Sequence, residues 1–161
     1  MRCATGMVER TLVAWIGRTD LKAAAGDPDS TPGPIGQAVQ AERYESIHLL
    51  SDFAAQEAEV FREWLASKTV AGIDIHAVKL SSPIDFGEIY QHAVAVLDSI
   101  KQPREVQRTY HLSPGTPAMA SVWILLAKTT HPARLIQSSP QAGVQEACIP
   151  FDIAAEFIPH W

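Results

Sequence analysis

The chain has little cysteine, with only Cys3 and Cys148 among its 161 residues. The two are far apart and lack the paired spacing of a zinc site, so the sequence predicts neither a disulfide framework nor a structural zinc. The six histidines also lack the i, i+4 spacing of metal ligands on one helix, and no metal site is predicted. So few thiols are typical of a protein from the reducing cytoplasm, where we expect this one.

Basic residues and long apolar runs are also scarce. The chain carries 13 Lys and Arg against 18 Asp and Glu, which gives a net charge of −5 and a pI of about 5.6. Coating nucleic acid non-specifically requires a basic face, so this function is excluded, whereas a small anionic ligand in a local pocket is not. No apolar run approaches the length of a membrane span, and residues 1–10 lack the layout of a signal peptide.

Three well-known motifs are missing. The first apolar run is not followed by Gly-x-Gly-x-x-Gly, which argues against a classical NAD enzyme, and there is no Gly-Lys-Ser/Thr loop for ATP hydrolysis. No cofactor is therefore predicted. A response-regulator receiver is excluded as well, because Asp74 lies inside its strand and Ser138 stands where the lysine is required.

Apolar runs of strand length alternate with amphipathic segments of helix length. Strands are predicted at 11–16, 46–50, 73–80, 109–112, 133–137 and 144–151, and helices at 34–44, 53–67, 86–100 and 117–128. This order predicts an α/β, Rossmann-like three-layer sandwich, whose mostly parallel sheet ends in a C-terminal antiparallel β-hairpin at the edge. The domain is expected to span residues 11–153, between a flexible leader at 1–10 and a tail or linker at 154–161.

One loop has the composition of an anion-binding site. Ser113-Pro114-Gly115-Thr116 joins the predicted fourth strand to a helix that begins at Pro117, so two hydroxyls and the N–H groups of a helix start surround one point. If the strand order is 3-2-1-4-5, the loop Gly17–Asp20 converges on it at the switch point. Residues 21–33, rich in Gly and Pro, are long enough to form a lid over both.

Several of these side chains allow two interpretations. Arg18 and Asp20 either bind a ligand or cap their loop. Ser113 and Thr116 carry hydroxyls, but a nucleophilic hydroxyl needs a base and no histidine is predicted beside them, so no catalytic residue is assigned. His111 is predicted to be a packed core residue. Arg134, near a strand start, is predicted to be a surface charge.

Two segments give the chain a family resemblance. Gly17-Arg18-Thr19-Asp20, followed by Gly33-Pro34, and Ser113-Pro-Gly-Thr-Pro-Ala-Met119 resemble the loops of the CARF domain, the Rossmann-like sensor of CRISPR-associated effectors. Within that group the chain looks most like the N-terminal regulatory domain of RtcR-type sigma-54-dependent activators. There Pro132-Ala-Arg-Leu-Ile-Gln-Ser-Ser-Pro140 and the preceding strand, loop and apolar helix recur in the same order.

The resemblance implies a homodimer that holds a cyclic oligoadenylate, or an RNA end with a cyclic phosphate. It also implies that the signal passes to an attached effector domain, and that DNA and the sigma-54 polymerase are contacted only through domains absent from this chain. The implied ligand-binding residues are Gly17, Arg18, Thr19, Asp20, Ser113, Pro114, Gly115, Thr116 and Met119. Pro114 and Pro117 replace a common glycine and a common basic residue, which counts more against cleavage of the ligand than against binding. A ring nuclease remains the alternative.

Overall fold

The computed structural model describes residues 8–26, 32–100 and 106–151, in which strands and helices alternate. In chain order the elements are β1 (Glu9–Trp15), α1 (Arg18–Ala24), α2 (Gly33–Ala41), β2 (Ser46–Ser51), α3 (Ala55–Ala66), β3 (Gly72–Ala77), α4 (Phe86–Ser99), β4 (Val106–His111), α5 (Pro117–Ala127), β5 (Arg134–Ser139) and β6 (Gly143–Glu146). β1 begins at Glu9, two residues before the predicted strand start at 11 and inside the range 1–10 predicted as a leader. Residues 1–7 and the predicted tail at 154–161 lie outside the described residues.

The strands form one sheet in the order β3-β2-β1-β4-β5-β6. All neighbours pair in parallel except β5 and β6, which form the antiparallel pair at the edge. Val13 of β1 stands level with His48 of β2 on one side and Tyr110 of β4 on the other. The α/β, Rossmann-like prediction and its strand order are confirmed, and the order reverses between β1 and β4.

Helices cover both faces of the sheet, because the inner strands are apolar on both sides. On one face, α4 and α5 cover the strand side chains Trp15 and Tyr110, and the ring of Tyr110 lies 4.7 Å from that of Trp123 on α5. On the other face, α2 and α3 bury side chains such as Ile35, Phe61 and Leu65. The domain thus has three layers. Within the described ranges, no helix is long and apolar enough to cross a membrane.

Several elements begin or end at residues other than those the sequence predicts. Helix α3 begins at Ala55 rather than at residue 53, and Ser51 and Asp52 do not cap it. Instead the Ser51 hydroxyl accepts a hydrogen bond from Phe53 N, and Asp52 Oδ1 accepts one from Leu80 N. The strand predicted to reach residue 80 stops at Ala77. Strand β6 likewise stops at Glu146 instead of residue 151.

Arg134 is more than a surface charge. Its guanidinium donates two hydrogen bonds to the carboxylate of Glu42, at 2.8 and 2.9 Å, and a third to Glu146 at 3.1 Å. Only about a fifth of the Arg134 side chain is exposed. This contact ties β5 to the end of α2 and to β6, and it lowers the pKa of the Glu42 carboxyl through hydrogen bonds and charge.

Candidate functional site

Two backbone segments touch at the carboxyl ends of β1 and β4. A Cβ atom added at Gly17 would lie 2.7 Å from the backbone nitrogen of Gly115, which is closer than real Cβ atoms approach any heavy atom. Gly115 itself has φ +89°, and a Cβ there would lie 2.5 Å from Met119 Sδ. Glycine at both positions lets the two predicted loops meet at the switch point. The convergence expected from the sequence is therefore present in the structure.

The first of these segments is helical where a loop was predicted. Arg18, Thr19 and Asp20 form the first turn of α1, with Gly17 as its N-cap. Asp20 Oδ2 reaches back to accept a hydrogen bond from Gly17 N at 2.9 Å, in the manner of a capping box. The expected lid at 21–33 is also helical in part, because α1 continues to Ala24; residues 27–31 lie outside the described residues.

Asp20 is fully buried and joins two helices. Besides Gly17 N, it accepts a hydrogen bond from Ile35 N in the first turn of α2, at 3.0 Å. Burial raises the pKa of this carboxyl to about 6, even though both N–H groups favour the charged form. Gly33, with φ +78°, passes so close that a Cβ there would lie 3.1 Å from Asp20 Oδ1. Of the two roles considered for Asp20, this geometry fits the capping one.

The second segment is anchored to the neighbouring strand through Ser113. Its hydroxyl accepts a hydrogen bond from Ser138 N at 2.8 Å and donates one to Ser138 O at 3.1 Å. His111 is buried as predicted, and its ring contacts Pro34 O at 3.0 Å and Ser113 N at 3.4 Å. Burial lowers the His111 pKa to about 4, so the ring is neutral near pH 7. A histidine thus does lie beside Ser113, contrary to expectation, but it contacts the backbone rather than the hydroxyl.

Thr116 forms the N-cap of α5 and closes the same segment. Its hydroxyl accepts a hydrogen bond from Met119 N at 3.3 Å and donates one to Pro83 O at 2.8 Å. In turn, Met119 Sδ accepts a hydrogen bond from Thr116 N at 3.4 Å. Pro114 is buried and Gly115 is exposed. The Ser113–Thr116 segment is therefore fixed at both ends by side chains that the sequence marked as functional.

A pocket of about 420 Å³ opens where the two segments meet, a size within the range of small-molecule sites. Its lining residues are Trp15, Ile16, Gly17, Arg18, Asp52, Phe53, Pro83, Gly115, Thr116 and Met119. The Arg18 guanidinium lies 5.0 Å from the centre of the Phe53 ring, which holds a cation at the pocket wall. The arrangement combines apolar walls, the Arg18 cation, the Asp52 carboxylate and the N-terminus of α5, so it suits a ligand with a flat apolar part, a polar edge and an anionic part.

The structure brings together some of the predicted residues and adds others. Gly17, Arg18, Gly115, Thr116 and Met119 line the pocket, while Asp20 and Ser113 support its two walls from behind. Thr19 is exposed in the first turn of α1 and does not line the pocket. The lining residues that sequence reasoning missed are Trp15, Ile16, Asp52, Phe53 and Pro83. The sheet topology could have indicated Asp52 and Phe53, because β2 lies beside β1 and its carboxyl end reaches the same edge of the sheet.

Other histidines form a pair away from this pocket. His48 Nδ1 and His76 Nε2 lie 2.9 Å apart on β2 and β3, and burial lowers the pKa of both rings. Within residues 8–26, 32–100 and 106–151, no three His, Cys, Asp or Glu side chains are placed to hold a metal ion. The two rings are diagonal neighbours on adjacent strands, since His48 pairs with Asp74 and His76 pairs with Leu50.

Sequence comparison places the chain in a family. Residues 41–153, well over half of the chain, match the family described as RtcR, regulator of RNA terminal phosphate cyclase. The chain belongs to the RtcR family. The matched range of this RtcR chain includes the Ser113–Thr116 segment but not Gly17–Asp20. The resemblance to a CARF domain of the RtcR type, expected from the sequence, is confirmed.

Comparison with solved structures adds the fold. Csm6 from Enterococcus italicus, bound to cyclic hexa-2′-fluoro-hexa-dAMP, is similar to this RtcR chain with a TM-score of 0.67 and 20% sequence identity. The alignment covers 86% of this chain and 35% of that one, so the chain spans about a third of the length of Csm6. At this identity the similarity shows a shared fold. The comparison with curated proteins found no match.

Proposed function

We propose that this chain is the ligand-sensing domain of an RtcR-type regulator, and that the pocket between Gly17 and Gly115 binds a cyclic oligoadenylate or an RNA end with a cyclic phosphate. The observation that carries the proposal is the pocket itself, which lies at the reversal of strand order between β1 and β4. Open α/β sheets bind their ligands at such a switch point. The similar Csm6 structure is bound to a cyclic hexanucleotide, and that ligand supports the same chemistry here.

The chemistry of the walls fits a nucleotide. Helix α5 is 11 residues long and its N-terminus opens on the pocket through Thr116, so its dipole favours a phosphate there. Arg18 adds a full positive charge, and its contact with Phe53 limits the positions it can adopt. Trp15, Met119 and Pro83 give the remaining walls an apolar character that suits a base.

The proposal includes a homodimer and an attached effector. A two-fold dimer matches a symmetric cyclic ligand. Ile84, Phe86 and Tyr90 are large apolar side chains with exposed fractions of 67%, 44% and 41%; Ile84 directly follows Pro83 of the pocket wall, and Phe86 and Tyr90 lie in the first two turns of α4. Such a surface beside the ligand favours association there. Contacts with DNA and the sigma-54 polymerase belong to attached domains.

The hydroxyls favour binding over cleavage. Cleavage by a ring nuclease needs groups that position or activate a ribose 2′-hydroxyl. Ser113 and Thr116 both donate their hydroxyl protons to backbone carbonyls, of Ser138 and Pro83. Each is thus engaged in holding its segment in place.

Calorimetric titration tests the proposal. We expect heat on adding cyclic tetra-adenylate, cyclic hexa-adenylate, or RNA ending in a 2′,3′-cyclic phosphate, and a molar mass of two chains by analytical ultracentrifugation. Thr116→Arg should abolish binding by filling the pocket, while Thr116→Ser retains the capping hydroxyl and should still bind. Absence of heat and of any thermal shift with all three ligands would refute the function. Recovery of a linearised ligand would favour the ring nuclease.

A further inference from the structure

One wall of the pocket carries the carboxylate of Asp52. This residue directly follows β2 and lines the pocket beside Phe53. Its Oδ1 accepts a hydrogen bond from Leu80 N at 3.0 Å, which fixes the orientation of the carboxylate. For Oδ2, no hydrogen-bond donor is found among residues 8–26, 32–100 and 106–151, and no ion pair joins Asp52 to Arg18. Asp52 is exposed, so this oxygen is open to a ligand that enters the pocket.

The nearby polar groups do not compete for this acceptor. The Thr116 hydroxyl donates to Pro83 O, and the Arg18 guanidinium lies over the Phe53 ring. The other walls around Asp52 include the apolar side chains of Trp15 and Met119. A ligand that enters the pocket thus meets a cation, apolar side chains and a carboxylate whose orientation is fixed.

We propose that Asp52 is the base-selecting residue of the pocket, and that its Oδ2 accepts a hydrogen bond from the exocyclic amino group of an adenine. The inference rests on the proposed function and specifies the base that it recognises. Leu80 N orients the carboxylate through Oδ1, which leaves Oδ2 to accept the N–H of an adenine amino group. Hypoxanthine, with a carbonyl oxygen in place of that amino group, would face the carboxylate with an acceptor.

Asp52→Asn provides the test, because it changes one atom of the contact. The amide oxygen replaces Oδ1 as acceptor for Leu80 N, and this fixes the NH₂ group at the position of Oδ2. The variant then offers a donor where the natural chain offers an acceptor. Glu63→Gln on α3 is the matched control, since Glu63 is exposed and its substitution removes the same charge outside the pocket lining.

The experiment titrates the natural chain and both variants by calorimetry with cyclic tetra- and hexa-adenylate and with the corresponding inosine rings. A second arm uses linear RNA that ends in adenosine or inosine 2′,3′-cyclic phosphate, which separates the cyclic ligand from the RNA end. We expect the natural chain and Glu63→Gln to prefer adenine by roughly tenfold, and Asp52→Asn to lose or reverse that preference. An unchanged adenine preference in Asp52→Asn would refute the role of Asp52 and leave the proposed function standing. If no adenine ligand binds the natural chain, both are refuted.

Discussion

Replacing Gly17 with alanine tests the contact on which the whole site depends. The new Cβ would lie 2.7 Å from Gly115 N, a backbone atom that cannot swing aside like the end of a side chain. The second segment is held by the Ser113–Ser138 hydrogen bonds, so it resists the shift of several tenths of an ångström that alanine requires. Gly17 has φ −106°, an ordinary value for alanine, so the penalty is steric and not conformational.

Overpacking of this kind costs about 1–3 kcal/mol of unfolding free energy. For a domain of this size that corresponds to a melting temperature lower by roughly 2–12 °C. Urea denaturation and thermal melting measure the two quantities, and calorimetry should show weaker ligand binding because the pocket wall has moved. The expected loss of unfolding free energy comes from placing one added methyl group against a backbone atom that is held in position.

Gly72→Ala is the matched control for the effect of alanine on the unfolded chain. A Cβ at Gly72 would meet no atom within 4 Å, and its φ lies outside the left-handed region. We expect this variant to be as stable as the natural chain, or slightly more so. If Gly17→Ala proves as stable as Gly72→Ala, the close approach of the two segments is wrong.

Three further predictions concern charged groups. The Asp20 carboxyl should titrate near pH 6 when followed by carbon NMR. Because its pKa is raised on folding, its contribution to stability is complete below about pH 4 and is lost as the pH rises through 6. A titration midpoint near pH 4 would contradict its burial. Arg134→Ala should lower the unfolding free energy by about 1–3 kcal/mol in urea denaturation, because it leaves Glu42 without its bidentate partner. An unfolding free energy equal to that of the natural chain within error would refute the stabilising role of Arg134. Arg18→Ala should weaken binding of cyclic oligoadenylate by roughly tenfold and leave the melting temperature unchanged. The reason is that the exposed Arg18 guanidinium contributes charge at the pocket rather than packing. Equal affinity of the variant and the natural chain would exclude Arg18 from the site.

The sequence was sufficient for the parts of the fold that depend on local patterns. The unbroken apolar run of β1 predicts a strand covered on both faces, and its alternation with helices predicts the parallel sheet. The Ser113–Thr116 segment was recognisable because glycine, proline and hydroxyl residues before an apolar helix are local signals. Its contact with Gly17 could be predicted only through the strand order, and that order proved correct.

Tertiary structure decided the roles of individual side chains. Asp20 and Ser113, both candidates for ligand contact, form hydrogen bonds to distant backbone at Ile35 and Ser138. Phe53 joins the pocket from the end of β2, although its apolar character had indicated a place inside a helix. The sequence alone determined the six strands and the longer helices, because periodic burial is local, but it did not predict the short helix α1. Which side chains face the ligand depends on partners far along the chain that folding brings together.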